Sequence, residues 1–290
     1  VNHTMLSLPE MTTTPDNSSG GISPLPSGAP IMLRGLCGFA QPYLRRTQYI
    51  PNFFFQDATL LLIVSGTLGL SNATDELIVD NDDSLLLVKP GTWANLHKTP
   101  TGPQQCFRSY YLTFSSELLE YFQRGRPHAE PKNLNTVQRT PLDTDLKTTL
   151  EWVCNSVLSA DISEDRLRFR LLDLLAALAE RGLAFNQYQA PSTASRVRLM
   201  LSESPAHPWT AREVGRALAM SEATLRRRLS EEQVRFDELL IEVRMHHGLM
   251  LLQSTHWSII QVAEACGYLS RARFTERFTK RFGYLPSSVK

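Results

Sequence analysis

The chain has 290 residues, 42% of them hydrophobic and 20% charged, with a net charge of +1. That length exceeds what one ordinary core organises, and that apolar content offsets chain entropy, so two globular domains are expected and a mostly disordered chain is excluded. The near-neutral total hides a split: residues 1–191 hold 15 basic against 19 acidic side chains, whereas residues 192–290 hold 15 against 10. A polyanionic partner is therefore expected to meet only the second part.

Residues 1–30 contain five prolines and many small polar side chains. They read as a flexible arm, without the basic start and apolar segment of a secretory leader. From Met32 to Phe114, short apolar or alternating runs read as strands: Phe53 to Phe55, Leu60 to Val64, Leu68 to Leu70, Leu77 to Val79, Leu85 to Val88 and Tyr110 to Phe114. Ser65-Gly66, Asn81-Asp82-Asp83 and Pro90-Gly91 supply the turns between them, predicting a small all-β barrel or sandwich. The best apolar run, Ala58 to Leu70, is broken at Ser65 and Gly66 and is too short to cross a bilayer, so a soluble, cytoplasmic protein is expected. Cys37, Cys106, Cys154 and Cys266 lie far apart with no CxxC spacing, as small core residues in a reducing compartment would.

Two helical segments follow, over about 142–159 and 164–183. In the second, Leu167, Leu171, Leu174 and Leu178 recur at spacings of four, three and four and form a heptad-like seam. That seam suits pairing with its twin in a homodimer, and it suits equally an amphipathic helix lying on its own β-domain. A break at Gln189 to Thr193 divides the chain into an arm (1–30), a regulatory and dimerisation domain (31–188), a linker (189–194) and a helical domain (195–290).

In the helical domain, Thr210 to Glu213 reads as a capping box opening a helix with Val214, Ala217 and Leu218 inward. It stops near Ala219-Met220-Ser221. Ser221 then caps a second helix whose core residues are Leu225 and Leu229. This is a helix-turn-helix unit, and Ala223, Thr224, Arg226 and Arg227 project from its second helix as a small residue, a hydroxyl and two planar forks suited to base edges in a major groove.

The pattern recurs downstream. Ser258 to Gln261 is another capping box, Val262, Ala263 and Cys266 are apolar, Gly267 permits the turn, and Ser270 opens a helix with Phe274 and Phe278. Gly215 to Leu225 is ten residues and Ala263 to Phe274 is eleven, so the second turn is one residue longer. Between the units, Arg235 to Gln253 reads as a single helix of 19 residues. At ~1.5 Å per residue it spans about 28 Å, which with the bulk of the units can put both reading helices in successive major grooves about 34 Å apart.

These residues resemble the AraC/XylS family of bacterial regulators over nearly all of 195–290. The likeness is carried by Ser258-Ile259, Val262-Ala263, Gly267-Tyr268, Ser270, Phe274, Phe278, Lys280, Phe282-Gly283 and Pro286. It is supported by Met220-Ser221, Leu225, Arg227, Arg244, Leu249 and Leu252. The resemblance implies an α+β fold: an N-terminal cupin-like β-barrel with two following helices, then an all-α C-terminal domain of two helix-turn-helix units joined by a long helix.

It also implies readers: Ala223, Thr224, Arg226 and Arg227 in the first unit, and Arg271, Ala272, Thr275 and Glu276 in the second. Glu276 can accept from a cytosine amine or repel phosphates. Ser221, Arg228, Ser270, Arg273, Arg277, Lys280 and Arg281 are candidates for phosphate contact, the charged ones equally for solvated surface. The implied partners are duplex promoter DNA, RNA polymerase, a second copy of the chain, and either a small effector (a sugar, an aromatic acid or a fatty acid) or a regulatory protein.

Three departures stand out. Val234 occupies a place where glycine often closes the first unit, Gly248 replaces a usual alanine in the connecting helix at a cost of about 1 kcal/mol, and the last helix is short.

Arg45, Arg46, Tyr49, Phe53, Phe55, Trp93 and Tyr111 are candidates for an apolar or anionic effector pocket, with core packing the default for the aromatics. His97 is the one histidine in the expected β-domain, and His246 and His247 diverge on their helix, so no metal or other cofactor is expected. GxGxxG, P-loop, HExxH and GxSxG patterns are missing, which argues against an enzyme. A ligand-binding or protein-interaction module that has lost DNA binding is the remaining alternative, and the basic outer faces argue against it.

Overall fold

The computed structural model describes residues 32–72, 76–80, 83–124, 135–159, 161–185 and 192–289, and the expected arm lies outside them. The first part runs β1 (Met32–Arg34), β2 (Cys37–Ala40), β3 (Tyr43–Leu44), β4 (Gln48–Phe55), β5 (Ala58–Ser65), β6 (Thr67–Ser71), β7 (Glu76–Val79), β8 (Ser84–Val88), β9 (Thr92–Thr99) and β10 (Phe107–Phe114). There follow α1 (Ser116–Gln123), β11 (Val137–Pro141), α2 (Thr144–Leu158) and α3 (Glu164–Glu180). Every strand read from the sequence is present. β1, β2 and β3 were not read, being two to four residues long, and neither were β9, β11 and α1, which polar residues interrupt.

The strands form two antiparallel sheets. One has the order β1-β2-β10-β5-β8-β11 with β3 also on β10, and the other the order β4-β9-β6-β7. The expected barrel is not closed, and the sheets instead face each other as a sandwich. Phe53, Phe55, Leu68, Leu70 and Leu96 of the small sheet pack with Leu61, Ile63, Leu86, Val88 and Phe107 of the large one. The large sheet's other face, Leu60, Leu62, Leu85, Leu87, Leu112 and Phe114, is covered by α1, α2 and α3. Burial on both faces is why β5 and β8 are continuous apolar runs rather than alternating ones.

The helix covering that face decides the leucine seam. Leu167, Leu171 and Leu174 are 0% exposed and Leu178 is 1% exposed. All four pack on this chain's own sheet. The expectation that they pair with a second copy is therefore corrected: α3 is an amphipathic helix whose apolar stripe is already used.

The helical part comprises α4 (Thr193–Glu203), α5 (Ala211–Ala217), α6 (Glu222–Glu231), α7 (Phe236–Ser254), α8 (Ile259–Ala265) and α9 (Arg271–Phe282), followed by a short 3-10 turn at Pro286–Ser288. The first half of α7 completes a core with α4, α5 and α6 through Phe236, Leu239 and Val243. Its second half, through Met245, Leu249 and Leu252, joins α8, α9 and the β-sandwich in one cluster. Gly248 has a packing reason. A Cβ there would lie 2.8 Å from the Phe274 ring and 3.1 Å from Cys266 Sγ, so the helix gives up propensity to let α9 approach.

Candidate nucleic-acid interface

Each unit is built around a turn with the same hydrogen bonds. In the first, Met220 N–H donates to Gly215 O (2.8 Å) and Ala219 N–H to Arg216 O (3.1 Å). In the second, Tyr268 N–H donates to Ala263 O (2.9 Å) and Gly267 N–H to Glu264 O (2.8 Å). The left-handed residue is Ala219 (φ 56°) in one and Gly267 (φ 74°) in the other.

The caps, Ser221 and Ser270, then follow at unequal distance, and the additional residue of the second turn is Leu269, which is fully exposed. Ser258 and Gln261 form a complete capping box. The box read at Thr210 is half-formed: Thr210 caps Glu213 N–H, but the Glu213 carboxylate turns to His207 Nε2 at 2.8 Å. The first unit closes at Gln233 (φ 58°) rather than Val234, so the β-branched residue escapes the strained conformation and packs on the core.

Leu225 and Leu229 of α6 are buried, leaving Ala223, Arg226, Arg227 and Arg228 exposed and Thr224 half-buried. Two arginines already hold partners on their own helix. Arg226 Nε lies 3.0 Å from Glu222 Oε1, and Arg227 Nη1 lies 2.7 Å from Glu231 Oε1. The Ser221 and Thr224 hydroxyls are 2.9 Å apart.

On α9, Phe274, Phe278 and Phe282 line the buried side, so Arg271, Ala272, Arg273, Glu276, Arg277 and Lys280 face solvent. Arg271, Ala272, Thr275, Glu276, Thr279, Lys280 and Leu285 together line an open depression of about 830 Å³. The four reader candidates of the second unit thus share one concave surface with a cationic end. Ser221 and Ser270 spend their hydroxyls as helix caps, on Thr224 N–H (3.1 Å) and Arg273 N–H (3.3 Å).

Arg281 differs from the sequence expectation. Its guanidinium donates to Pro51 O (2.9 Å), Asn52 O (2.6 Å) and His246 Nε2 (3.1 Å), tying α9 to β4 on the side away from that depression. It is a cross-domain anchor rather than an exposed cation. Several neighbours serve the same contact. Arg198 of α4 pairs with Glu242 (3.1 Å) and stacks over Phe54 (4.5 Å) and Trp93 (5.5 Å), while Gln56 bonds Ser202 (3.3 Å). Lys98 donates to Gln253 Oε1 (2.9 Å), and Gln253 in turn donates to Gln48 Oε1 (2.6 Å). Burial pushes the Lys98 ammonium down to about 7, and burial beside Arg281 and Arg198 pushes His246 down to about 3.

None of these contacts was read from the sequence, because isolated polar residues carry no periodic signal. A lysine on the inward register of β9 was the one available clue.

The effector-pocket candidates do not converge. Arg45, Arg46 and Tyr49 are exposed, Phe53 and Phe55 are buried in the sandwich core, Tyr111 stacks on Phe55 (6.4 Å), and Trp93 sits at the domain contact. His97 is exposed on β9, and no cluster of metal-ligating side chains occurs among the described residues. Arg244 joins the two units. It donates to Pro205 O and His207 O, both at 2.9 Å, and its guanidinium lies 5.7 Å from the Tyr268 ring.

Two capped helices presenting solvent-facing basic surfaces, on a scaffold that also carries a β-sandwich, define a two-unit helix-turn-helix protein. Residues 214–290 match the model of a helix-turn-helix domain. The HTH-type transcriptional regulator YdeO of Escherichia coli (strain K12) is 36% identical over 98 residues, which is 34% of this chain and 38% of that one. Over this segment the chain is similar to helix-turn-helix transcription regulators, and the ordered string of residues from Ser258 to Pro286 is where the resemblance to the AraC/XylS class lies.

A longer likeness is to the urease operon transcriptional activator of Escherichia coli, 23% identical over 264 residues, covering 86% of this chain and 88% of that one. In overall fold the chain resembles wild-type ToxT from Vibrio cholerae in its unsaturated-fatty-acid-bound crystal structure. The TM-score is 0.59 at 15% identity, over 88% of this chain and 94% of that one. The matched segment spans little more than a third of YdeO, so that likeness speaks for the helical domain alone. No described helix is long and apolar enough to cross a membrane.

Proposed function

We propose that this chain is a sequence-specific DNA-binding transcription regulator, not an enzyme, in which α6 and α9 enter successive major grooves of promoter DNA and the β-sandwich controls their use. The observation that carries the reading is the outer face of α9, where Arg271, Ala272, Thr275, Glu276 and Lys280 line one open depression while every phenylalanine of the helix points the other way. Small residues next to planar donors permit close approach to base edges, and the cationic end suits phosphate. The regulators to which the chain is similar support the same reading, as does the basic excess of residues 192–290.

Arg226 and Arg227 act in this scheme by exchanging Glu222 and Glu231 for guanine edges, and Arg228, Arg273, Arg277 and Lys280 by meeting phosphates. A cytoplasmic setting and contact with RNA polymerase accompany the role. Control runs through the face where β4 and β9 meet α4, α7 and α9. The ToxT structure binds a fatty acid, and an effector of this chain, whether small molecule or protein, would act by changing that contact.

The test is binding to a site selected from random duplexes, measured from 50 to 200 mM salt. R226A and R227A are each expected to lose about 10- to 150-fold at the selected site and little on random DNA, while R281A keeps the salt slope of the parent. Equal losses on both DNAs would make Arg226 and Arg227 phosphate contacts. Binding without salt dependence would overturn the reading.

A further inference from the structure

The outer face of α9 is more apolar than its cations suggest. Ala272, Thr275, Thr279 and Leu285 share the open depression with Arg271, Glu276 and Lys280. The Thr279 hydroxyl oxygen is buried without a hydrogen-bond partner among the described residues, so what the side chain turns outward is its methyl end. Leu285, shortly after the helix ends, is 51% exposed, and Leu269, just before the Ser270 cap, is fully exposed. One bare leucine on a surface is ordinary. Two of them, at the two ends of a helix whose outer face already carries methyl-sized groups, make a pattern.

The first unit is built otherwise. Its Ser221 and Thr224 hydroxyls lie 2.9 Å apart, Arg226 and Arg227 hold carboxylates, and Val234, which follows α6, packs on the core. None of the large hydrophobic side chains exposed among the described residues lies on α6 or in the turn before it. Both turns keep the same backbone hydrogen bonds, and the second spends its additional residue on a leucine. A leucine left in water stabilises nothing in the folded chain, and its apolar surface becomes favourable only when something covers it.

The chemistry that fits is the 5-methyl group of thymine, the one apolar group that a base pair presents in the major groove, read by contact with small apolar side chains and threonine methyls. We infer that the second unit reads thymine methyls, with Leu269 and Leu285 as specificity-determining residues at the two ends of α9, while the first unit reads guanine through Arg226 and Arg227. This division rests on the DNA-binding reading above and gives the site a polarity: guanines at one end and thymines about one helical turn away. The 12 residues of α9 span about 18 Å, so the two leucines meet different thymines and their effects add.

The experiment replaces thymine by uracil, which lacks only the methyl and pairs as thymine does, one position at a time in a duplex selected by the parent chain. Uracil at two or more thymines in one half of the site is expected to weaken binding about fourfold each, the worth of burying one methyl-sized group. In the other half, where R226A relaxes the preference for guanine, uracil is expected to change binding less than about 1.5-fold. L269A and L285A are each expected to lose about fivefold on the thymine duplex and less than about twofold once the thymine each one meets is uracil, because the two changes then remove the same contact. Leu269 buries no surface, so L269A is expected to melt with the parent, and the uracil series alters no protein at all. Binding indifferent to uracil throughout the site, or leucine variants that lose as much on uracil as on thymine, would overturn the inference and leave DNA binding in place. A chain without salt-dependent binding to any duplex would overturn the regulator reading itself.

Discussion

The two helix-turn-helix units share a turn geometry and differ in what holds them. The first has a core of its own, in which Leu225 and Leu229 of α6 meet α4, α5 and the start of α7. The second has none that is separate. Phe274, Phe278 and Phe282 of α9 belong to the same buried cluster as Phe53, Phe55 and Leu96 of the sandwich. Contact between the first unit and the sandwich is a polar and stacking rim, Arg198 on Phe54 and Trp93 and Gln56 on Ser202. One unit is thus a module leaning on the β-domain, and the other is an extension of it. A change in the sandwich reaches α9 through packed side chains, and reaches α6 through the polar rim on α4 and through α7.

The largest effect that would break this contrast is loss of a core phenylalanine. F274A is expected to cost about 3–5 kcal/mol and L225A about 2–5 kcal/mol. Hydrogen exchange should tell them apart by place: F274A loosens β4 and β9 together with α8 and α9, while L225A leaves the strands as protected as before. Equal loosening of the strands in both would mean that the units are not differently supported.

The turns come next. A Cβ on Gly267 would lie 2.7 Å from Ala206 O and 2.8 Å from Arg244 Nη2, so G267A is expected to lose at least about 2 kcal/mol in a urea titration.

Lys98 sharpens the same contrast through pH. Its value falls from 10.5 to about 7 in the folded chain. Between those limits the unfolded chain holds the proton and the folded chain does not, so stability from this group rises with pH from about 7 to 10.5, and the cost of burying the ammonium is complete below about 7. K98M is expected to melt a few degrees above the parent near pH 7, on the order of 2–4 °C per kcal/mol, with the gap closing towards alkaline pH. Parallel melting curves would place Lys98 in a wetter site than its burial indicates. The smallest effect is expected from A219G, which relieves a left-handed alanine and should gain about 1 kcal/mol.

Much of this was legible beforehand. The strands from Phe53 to Phe114 other than β9, both turns, the caps at Ser221 and Ser270 and the connecting helix all follow from local patterns, since hydrophobic period and capping chemistry act within a few residues. The extra residue in the second turn was countable, though not that it would be Leu269, left bare at the surface. The outward faces of α6 and α9 were legible for the same reason: once Leu225, Leu229, Phe274 and Phe278 are inside, helical geometry sets what is outside. Arg281 was misjudged because exposure of a terminal arginine depends on what packs beside it. The capping box at Thr210 came out half-formed because His207 competes for Glu213.

What the amino-acid order determined alone was the inventory of elements and the face each helix turns inward, because both depend on spacing along one segment. What only the tertiary structure decided was which surface each apolar stripe would meet. The leucines of α3 were equally fit for a twin or for the sheet beneath them, and proximity within one chain chose the sheet. Residues as distant as Lys98 and Gln253, or Pro51 and Arg281, were brought together by the same long-range packing, which no local pattern encodes.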